Sequence, residues 1–185
     1  MNITLLGNCQ TKALAWYIQQ INSQLDVKWI CIEPFKRNDW ANQSVFRGKP
    51  IDVITCVRES ITRLNVSDVV IFQHIAPTTS ANFHYNQLKK HAAKATLLST
   101  SSFLFDPQEP SYLQGMIQRA VDGDIDISAP DLIERHGSKI IAISYNHPNV
   151  FYFMEVVREI CSRVGCNFYC DEQYQMFIDE GYPFG

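Results

Sequence analysis

The segment 68–75, DVVIFQHI, is the feature that most restricts how this chain can fold. It holds four consecutive apolar residues, which place apolar side chains on both faces of a strand. Such a strand belongs in a parallel sheet that helices cover on both sides, because a half-exposed strand would alternate apolar and polar residues. The apolar runs at 2–6, 27–32 and 95–100 have the same character and predict further strands.

Segments with apolar residues at helical spacing lie between and beyond these runs. They cover residues 11–22, 84–93, 111–121, 130–136, 149–164 and 171–180. Gly137 and Gly165 follow two of these segments and are expected to end the helices there. The segment 139–144 is open between a fifth strand and a helical or irregular structure.

The alternation of strands and helices predicts one three-layer α/β/α domain, residues 1–185, with a mostly parallel sheet. We expect 2–6, 68–73 and 95–99 to be adjacent parallel strands, because a return segment of helical length follows each of them. The long polar connection at 33–50 breaks this rhythm. Long loops are often functional, but a surface loop without a specific function is equally compatible with its composition.

Composition and charge exclude some classes of function. Hydrophobic residues make up 46% of the chain and charged residues 19%, as in ordinary globular proteins, and the net charge is −3. A negative net charge argues against broad nucleic-acid binding, which depends on clustered Lys and Arg. No apolar run reaches the length of a membrane span, and the first residues do not resemble a secretory signal. A cytoplasmic location is therefore expected, and the oligomeric state is left open.

The six cysteines do not form a recognisable metal or disulfide pattern. No Cys-x-x-Cys pair occurs, and a cytoplasmic chain of this length is expected to keep its thiols reduced. Cys161, Cys166 and Cys170 have no histidine nearby to complete a zinc site, so no metal is expected. Cys161 is expected to pack as a small apolar side chain.

Cys9 stands at the corner between the first predicted strand and the first predicted helix. Gly7 would permit a tight turn, Asn8 is a candidate N-cap, and Cys9 would then lie in the first helical turn. Backbone N–H groups and the helix dipole there favour negative charge, which predicts a lowered thiol pKa. The same N–H groups could stabilise an oxyanion during acyl transfer. A cysteine that merely packs in the turn is the alternative.

A nucleophilic cysteine needs a base, and the sequence offers two well-placed histidines. His147 lies between a possible strand and an apolar helix, and Pro148 would fix the backbone after it and could open that helix. His74 follows Gln73 at the end of the segment 68–75. Three others are expected at the surface: His84, His91 and His136. A structural role is the alternative for any one of them.

Three ordered motifs resemble the WcbI family of polysaccharide-biosynthesis enzymes. They are LLGNCQ near the start, DVVIFQHI in the middle and NHPN near the end, and together they span about residues 3–155. The resemblance implies acetyl-group chemistry on capsular polysaccharide, with coenzyme A or acetyl-CoA as a ligand. It also implies a fold similar to flavodoxin-like and SGNH-type hydrolases and acyltransferases, with cysteine in place of the first-block serine.

Carried over by position, the resemblance makes Cys9 the nucleophile and His147 the base, both at the carboxyl edge of the sheet. The residues that would bind substrate or the oxyanion are Gly7, Asn8, Gln10, Gln73, His74 and Asn146. SGNH-type enzymes orient their base with an Asp three residues earlier, and Ser144 stands there, so the orienting group is open. The chain is also shorter than is usual in that family, which puts part of the acceptor or coenzyme site in doubt.

The phosphates of coenzyme A would need basic partners. The basic residues of the long connection are Lys36, Arg37, Arg47 and Lys49. A solvated loop face is the alternative for this cluster, since exposed Lys and Arg are the norm.

The reaction that we expect is transfer of an acyl group, acetyl above all, from coenzyme A to a sugar hydroxyl. The expected partners are thus a small-molecule acyl donor and a saccharide acceptor, without nucleic acid or a membrane. A cysteine-dependent esterase or thioesterase would use the same two residues, with water as acceptor. A noncatalytic module that binds a sugar or nucleotide at the strand ends is the alternative from another class.

Overall fold

The structure is a computed structural model, and the chain divides into two compact units, Met1–Leu98 and Ser99–Gly185. The residues that it describes are 1–31, 45–46, 49–75, 80–101, 125–140, 142–144 and 147–167. The helices predicted at 111–121 and 171–180 lie outside these ranges. The single-domain organisation stays a prediction.

Nine strands lie within the described ranges. They are β1 (Asn2–Leu6), β2 (Asp26–Ile30), β3 (Val45–Phe46), β4 (Lys49–Pro50), β5 (Val53–Ile54), β6 (Val69–Phe72), β7 (Thr96–Ser99), β8 (Ala142–Ser144) and β9 (His147–Pro148). Five of them form one parallel sheet in the order β5-β2-β1-β6-β7. The strands β3 with β4 and β8 with β9 form two antiparallel pairs.

Five α-helices lie within the same ranges. They are α1 (Cys9–Ile21), α2 (Val57–Asn65), α3 (Tyr85–His91), α4 (Ala129–His136) and α5 (Val150–Val164). Gly165 caps α5 in the left-handed conformation at φ +68°, where glycine has no Cβ penalty. No helix in this part of the chain is both long and apolar enough to cross a bilayer.

The α/β class and the adjacency of β1, β6 and β7 confirm the main predictions from the sequence. The edge strand β5 and the helix α2 were not predicted. The segment 139–144 does contain a strand, β8, but β8 pairs antiparallel with β9 and does not join the parallel sheet. Pro148 lies in β9 and does not open the next helix, because Asn149 is the N-cap of α5.

The sheet of the first unit has helices on both faces. On one face the indole N–H of Trp29 donates to the hydroxyl of Thr11 in α1 at 3.1 Å. On the other face Ile30 packs in one apolar cluster with Leu64 of α2 and Leu88 of α3. Adjacent residues of a strand face opposite sides, so the first unit has the three layers that its apolar strands require.

Arg63 of α2 ties together the amino ends of β1 and β2. Its guanidinium donates to the Asp26 carboxylate, to the Asp26 carbonyl at 2.6 Å and to the Thr4 hydroxyl at 3.0 Å. Partial burial alone would raise the pKa of Asp26, but the hydrogen bond and charge of Arg63, with Lys28, hold that pKa below its ordinary value. This clamp lies at the edge opposite Cys9.

In the second unit, side chains at the end of α4 pack against α5. The imidazole of His136 lies 3.2 Å from the carboxylate of Glu155, which is buried. His136 is thus partly buried and not fully solvated, because a histidine at the end of α4 packs against α5. Tyr152 is also buried, and this burial raises its phenol pKa, although a hydrogen bond with Ser101 acts the other way.

The Asp26 clamp predicts a pH-dependent stability. Because its pKa is lowered in the folded state, its contribution is complete above about pH 4 and is lost as pH falls through the folded pKa. Asp26→Asn should lower the free energy of unfolding at pH 7 by no more than about 1 kcal/mol, since the Asp26 side chain is 46% exposed and partly screened. Urea denaturation at pH 7 and pH 3 measures both values.

Glu134→Gln is the matched control, because Glu134 is exposed and forms no ion pair within the described ranges. It should change stability little at either pH. A deficit in Asp26→Asn that is equally large at pH 7 and pH 3 would contradict the electrostatic account of the clamp.

Candidate functional site

The turn after β1 sets up the start of α1. The side chain of Asn8 accepts a hydrogen bond from the Gln10 N–H at 2.8 Å, and Asn8 is the N-cap. The Asn8 carbonyl accepts from the Thr11 hydroxyl at 2.7 Å. Cys9 is thus the first residue of the helix, beyond the carboxyl end of β1, as the sequence predicts.

Gln73 links the exit of β6 to this turn. Its side-chain oxygen accepts a hydrogen bond from the Asn8 N–H at 3.0 Å, and Gln73 is buried. Because the Asn8 N–H is a donor, the Gln73 oxygen must face it and the amide NH₂ must point elsewhere. The carboxyl ends of the two neighbouring strands β1 and β6 are therefore joined directly at the candidate site.

Steric constraints require a glycine at position 7. A Cβ atom at this position would lie 2.5 Å from the Gln73 Oε1 and 2.8 Å from the Thr11 methyl carbon. Non-bonded heavy atoms do not approach so closely, so any larger residue would displace Gln73 or the first turn of α1. Glycine thus leaves the space in which the Gln73 side chain accepts from the Asn8 N–H.

The thiol of Cys9 is not acidified as the sequence predicts. Burial raises its pKa, whereas hydrogen bonds from the Cys9 and Gln10 amides and the charge of Lys12 act to lower it. The prediction of a lowered pKa is thus wrong in direction, because the loss of hydration outweighs the helix terminus. The environment of Cys9 therefore favours the neutral thiol over the thiolate.

Lys12 is a member of this site that the sequence analysis missed. It is only 4% exposed, and its ammonium lies 5.8 Å from the centroid of the Trp29 ring. Burial lowers the pKa of Lys12, while the thiols of Cys31 and Cys9 act to raise it. A lysine on a helix is expected at the surface, so no sequence signal singled it out; only its spacing of three residues from Cys9 could have done so.

His74 lies at the same edge but belongs to an aromatic group. Its ring centroid is 5.3 Å from that of Phe72 and 5.6 Å from that of Tyr85. Its side chain is exposed, beside the start of α3. A role of His74 in substrate binding stays a prediction.

Gln10 follows Cys9 in α1 and is buried. The other predicted site residues fall in two groups. His147 belongs to β9 of the second unit, where its backbone pairs opposite Ser144 of β8, and its side chain is not described. Lys49 belongs to β4, again without a described side chain. Four lie outside the described ranges: Lys36, Arg37, Arg47 and Asn146. Their proximity to Cys9 stays a prediction.

Comparison with known proteins adds no further evidence about the site. No protein-family model, curated protein or solved structure matches this chain. Within the described ranges no group of three or more His, Cys, Asp or Glu side chains could hold a metal ion. The structure brings Gly7, Asn8, Cys9 and Gln73 together at the carboxyl edge of the sheet, with Lys12 buried one turn further along α1.

The lack of space between position 7 and the Gln73 side chain predicts that mutations at these two positions have non-additive effects on stability. Gly7→Ala should destabilise the protein by about 1–3 kcal/mol, because the new methyl group must push the Gln73 amide away. Gln73→Ala should cost about 1–3 kcal/mol, since it leaves the Asn8 N–H without its acceptor. Urea denaturation gives each value.

The double variant provides the control for this pair. Once Gln73 is shortened, the added methyl at position 7 has more space. The double variant should therefore lose less unfolding free energy than the sum of the two single losses. Strictly additive losses would show that the contact does not constrain the turn.

Proposed function

We propose that this protein is a cytoplasmic acyltransferase in which Cys9 carries or receives the acyl group. The observation that carries the proposal is the position of Cys9. It begins a helix at the carboxyl edge of a parallel sheet, with its sulfur accepting from the Cys9 and Gln10 amides. Ligands of open parallel sheets bind at that edge, and amides at a helix start suit a developing oxyanion.

The proposed reaction begins with proton transfer from the Cys9 thiol to His147. The thiolate attacks the thioester carbonyl, the carbonyl π pair moves to oxygen, and the oxyanion accepts from the amides near Cys9. Collapse of this intermediate expels coenzyme A as its thiol, which takes the proton from His147. A sugar hydroxyl then attacks the acyl-enzyme, His147 takes the hydroxyl proton, and the proton returns to the leaving Cys9 sulfur.

The raised pKa of the Cys9 thiol supports a base-assisted mechanism. A cysteine that is a thiolate at rest would not need a proton acceptor, whereas a buried neutral thiol does. His147 remains the proposed base on the strength of the resemblance to the WcbI family. The same resemblance supports a capsular or related polysaccharide as the acceptor.

The other polar residues have proposed roles in binding. The side-chain NH₂ groups of Asn8 and Gln73 are donors for the oxyanion or substrate, because their oxygens already accept from the Gln10 and Asn8 N–H groups. Gln10, His74 and Asn146 are proposed to bind the acceptor. Basic residues of the 33–50 connection are proposed to bind the phosphates of coenzyme A: Lys36, Arg37, Arg47 and Lys49.

Two alternatives make different predictions for the same site. A thioesterase or esterase would release free acid from the acyl-enzyme without a sugar. A noncatalytic binding module would leave the Cys9 thiol unacylated. The structure of the turn around Cys9 favours an enzyme, because the sulfur lies against two backbone amides and beside a buried ammonium.

Cys9→Ala should abolish turnover while the fold is kept. The change removes one small side chain from the first helical turn, so circular dichroism should be unchanged. Release of coenzyme A from acetyl-CoA should fall at least about a thousandfold, as expected when a covalent route is lost. His147→Ala should be nearly as damaging, and the double variant little worse than either single variant, because residues acting as one unit are non-additive.

Cys56→Ala is the matched control, because Cys56 is exposed and is the N-cap residue of α2. It should keep wild-type turnover. A well-folded Cys9→Ala protein with wild-type turnover would remove Cys9 as the nucleophile and favour the binding module. Turnover that is equally fast with and without saccharide would favour the hydrolase.

A further inference from the structure

Lys12 is buried to an extent that is rare for a lysine. Its residue is 4% exposed, and lysines are almost never fully buried unless they are paired. Its ammonium lies 5.8 Å from the centre of the Trp29 ring, within the range of a cation–π contact. An ammonium so enclosed is poorly placed to bind a ligand from solvent, so its charge acts on the groups packed around it.

Two thiols flank this ammonium. Cys9 lies three residues before Lys12 in α1, and residues at that spacing share one face of a helix. Cys31 directly follows β2 and lies two residues after Trp29, so its buried side chain is on the same side of the sheet as Trp29. The hydrogen bond between Trp29 and Thr11 holds α1 against β2 at this level.

Within the described residues, the titratable groups near Lys12 come from two elements. The titratable groups that face it are the Cys9 thiol from α1 and the Cys31 thiol after β2. β1 contributes none, since it consists of Asn2 and apolar or hydroxyl residues. Asp26 and Lys28 of β2 alternate to the face that α2 covers, where Asp26 pairs with Arg63.

We propose that Lys12 is a positioning residue that stabilises the thiolate of Cys9 when the base removes its proton. This inference rests on the proposed function only in treating Cys9 as the reacting thiol. A thiolate that forms in a buried site without a counter-charge is costly, whereas one that forms beside a desolvated ammonium is favoured by strong local electrostatics. Lys12 thus offsets part of the penalty that burial imposes on Cys9.

The pH dependence of Cys9 alkylation tests this role. Wild type and Lys12→Met are treated with iodoacetamide across pH, and modification of Cys9 is followed by peptide mass spectrometry. Loss of the ammonium should raise the apparent pKa of Cys9 by about one unit and slow its alkylation at pH 7.5 about tenfold. Lys94→Met, which removes an exposed lysine, is the matched control and should follow the wild-type profile.

Two further variants keep the test decisive. Lys12→Gln is a second neutral substitution, to be used if circular dichroism shows that Lys12→Met is unfolded, and it should give the same shift. Lys12→Arg keeps the charge, so its profile should lie closer to wild type than that of either neutral variant. Folded neutral variants with the wild-type profile would overturn the proposal, as would a Lys12→Arg profile shifted as far as theirs.

The alkylation test is independent of the proposed acyl transfer. A shifted profile together with full turnover by Cys9→Ala would keep the coupling of Lys12 to Cys9 and reject the nucleophile. An unshifted profile together with loss of turnover in Cys9→Ala would reject the role of Lys12 and keep the nucleophile.

Discussion

The parallel pairing of β1 with β2 on one side and β6 on the other is the constraint on which the candidate site depends. Leu6 lies opposite Ile30 in one ladder and opposite Phe72 in the other, so the three strands end at one level. The residues that follow them therefore emerge together at one edge of the sheet. Gln73, distant in sequence, reaches the turn that holds Cys9 for this reason, and Cys31 follows β2 at the same edge.

Burial sets the pKa shifts of Cys9 and Lys12, the two titratable residues of α1 at this edge. A helix start favours a thiolate, and the amides of Cys9 and Gln10 do act in that direction, but loss of hydration outweighs them and the pKa of the thiol is raised. The same burial lowers the pKa of Lys12. Burial thus pushes both groups towards their neutral forms, and a thiolate and an ammonium at this site would stabilise each other, which is the basis of the role proposed for Lys12.

Much of the fold could be predicted from sequence because its strands are continuously apolar. The edge strand β5 was missed because it is only two residues long, and α2 because its face is largely polar, with Ser60 and Leu64 its buried residues. The strand β8 was left open between a strand and other structures, since a short apolar run does not reveal its pairing partner, which is β9. The pairing between His136 and Glu155 follows from helix packing, which a pattern of single residues does not show.

The candidate site was predictable to the extent that it is local. Gly7, Asn8 and Cys9 form a turn and helix start whose geometry follows from neighbouring residues, and the N-cap of Asn8 is confirmed. The hydrogen bond from Asn8 to Gln73 and the enclosure of Lys12 depend on contacts between distant segments. The prediction of a lowered pKa for Cys9 was wrong for the same reason, because the extent of burial is a property of the folded chain.

The most direct test of the central claim is to look for the acyl-enzyme itself. The protein is mixed with acetyl-CoA in the absence of saccharide, quenched in acid, and examined by intact-protein and peptide mass spectrometry. The account predicts one added acetyl group, located on Cys9 and lost when an acceptor saccharide is supplied before the quench. An unmodified Cys9 in protein that is releasing coenzyme A, or an acetyl group on another residue that chases to the acceptor, would contradict it.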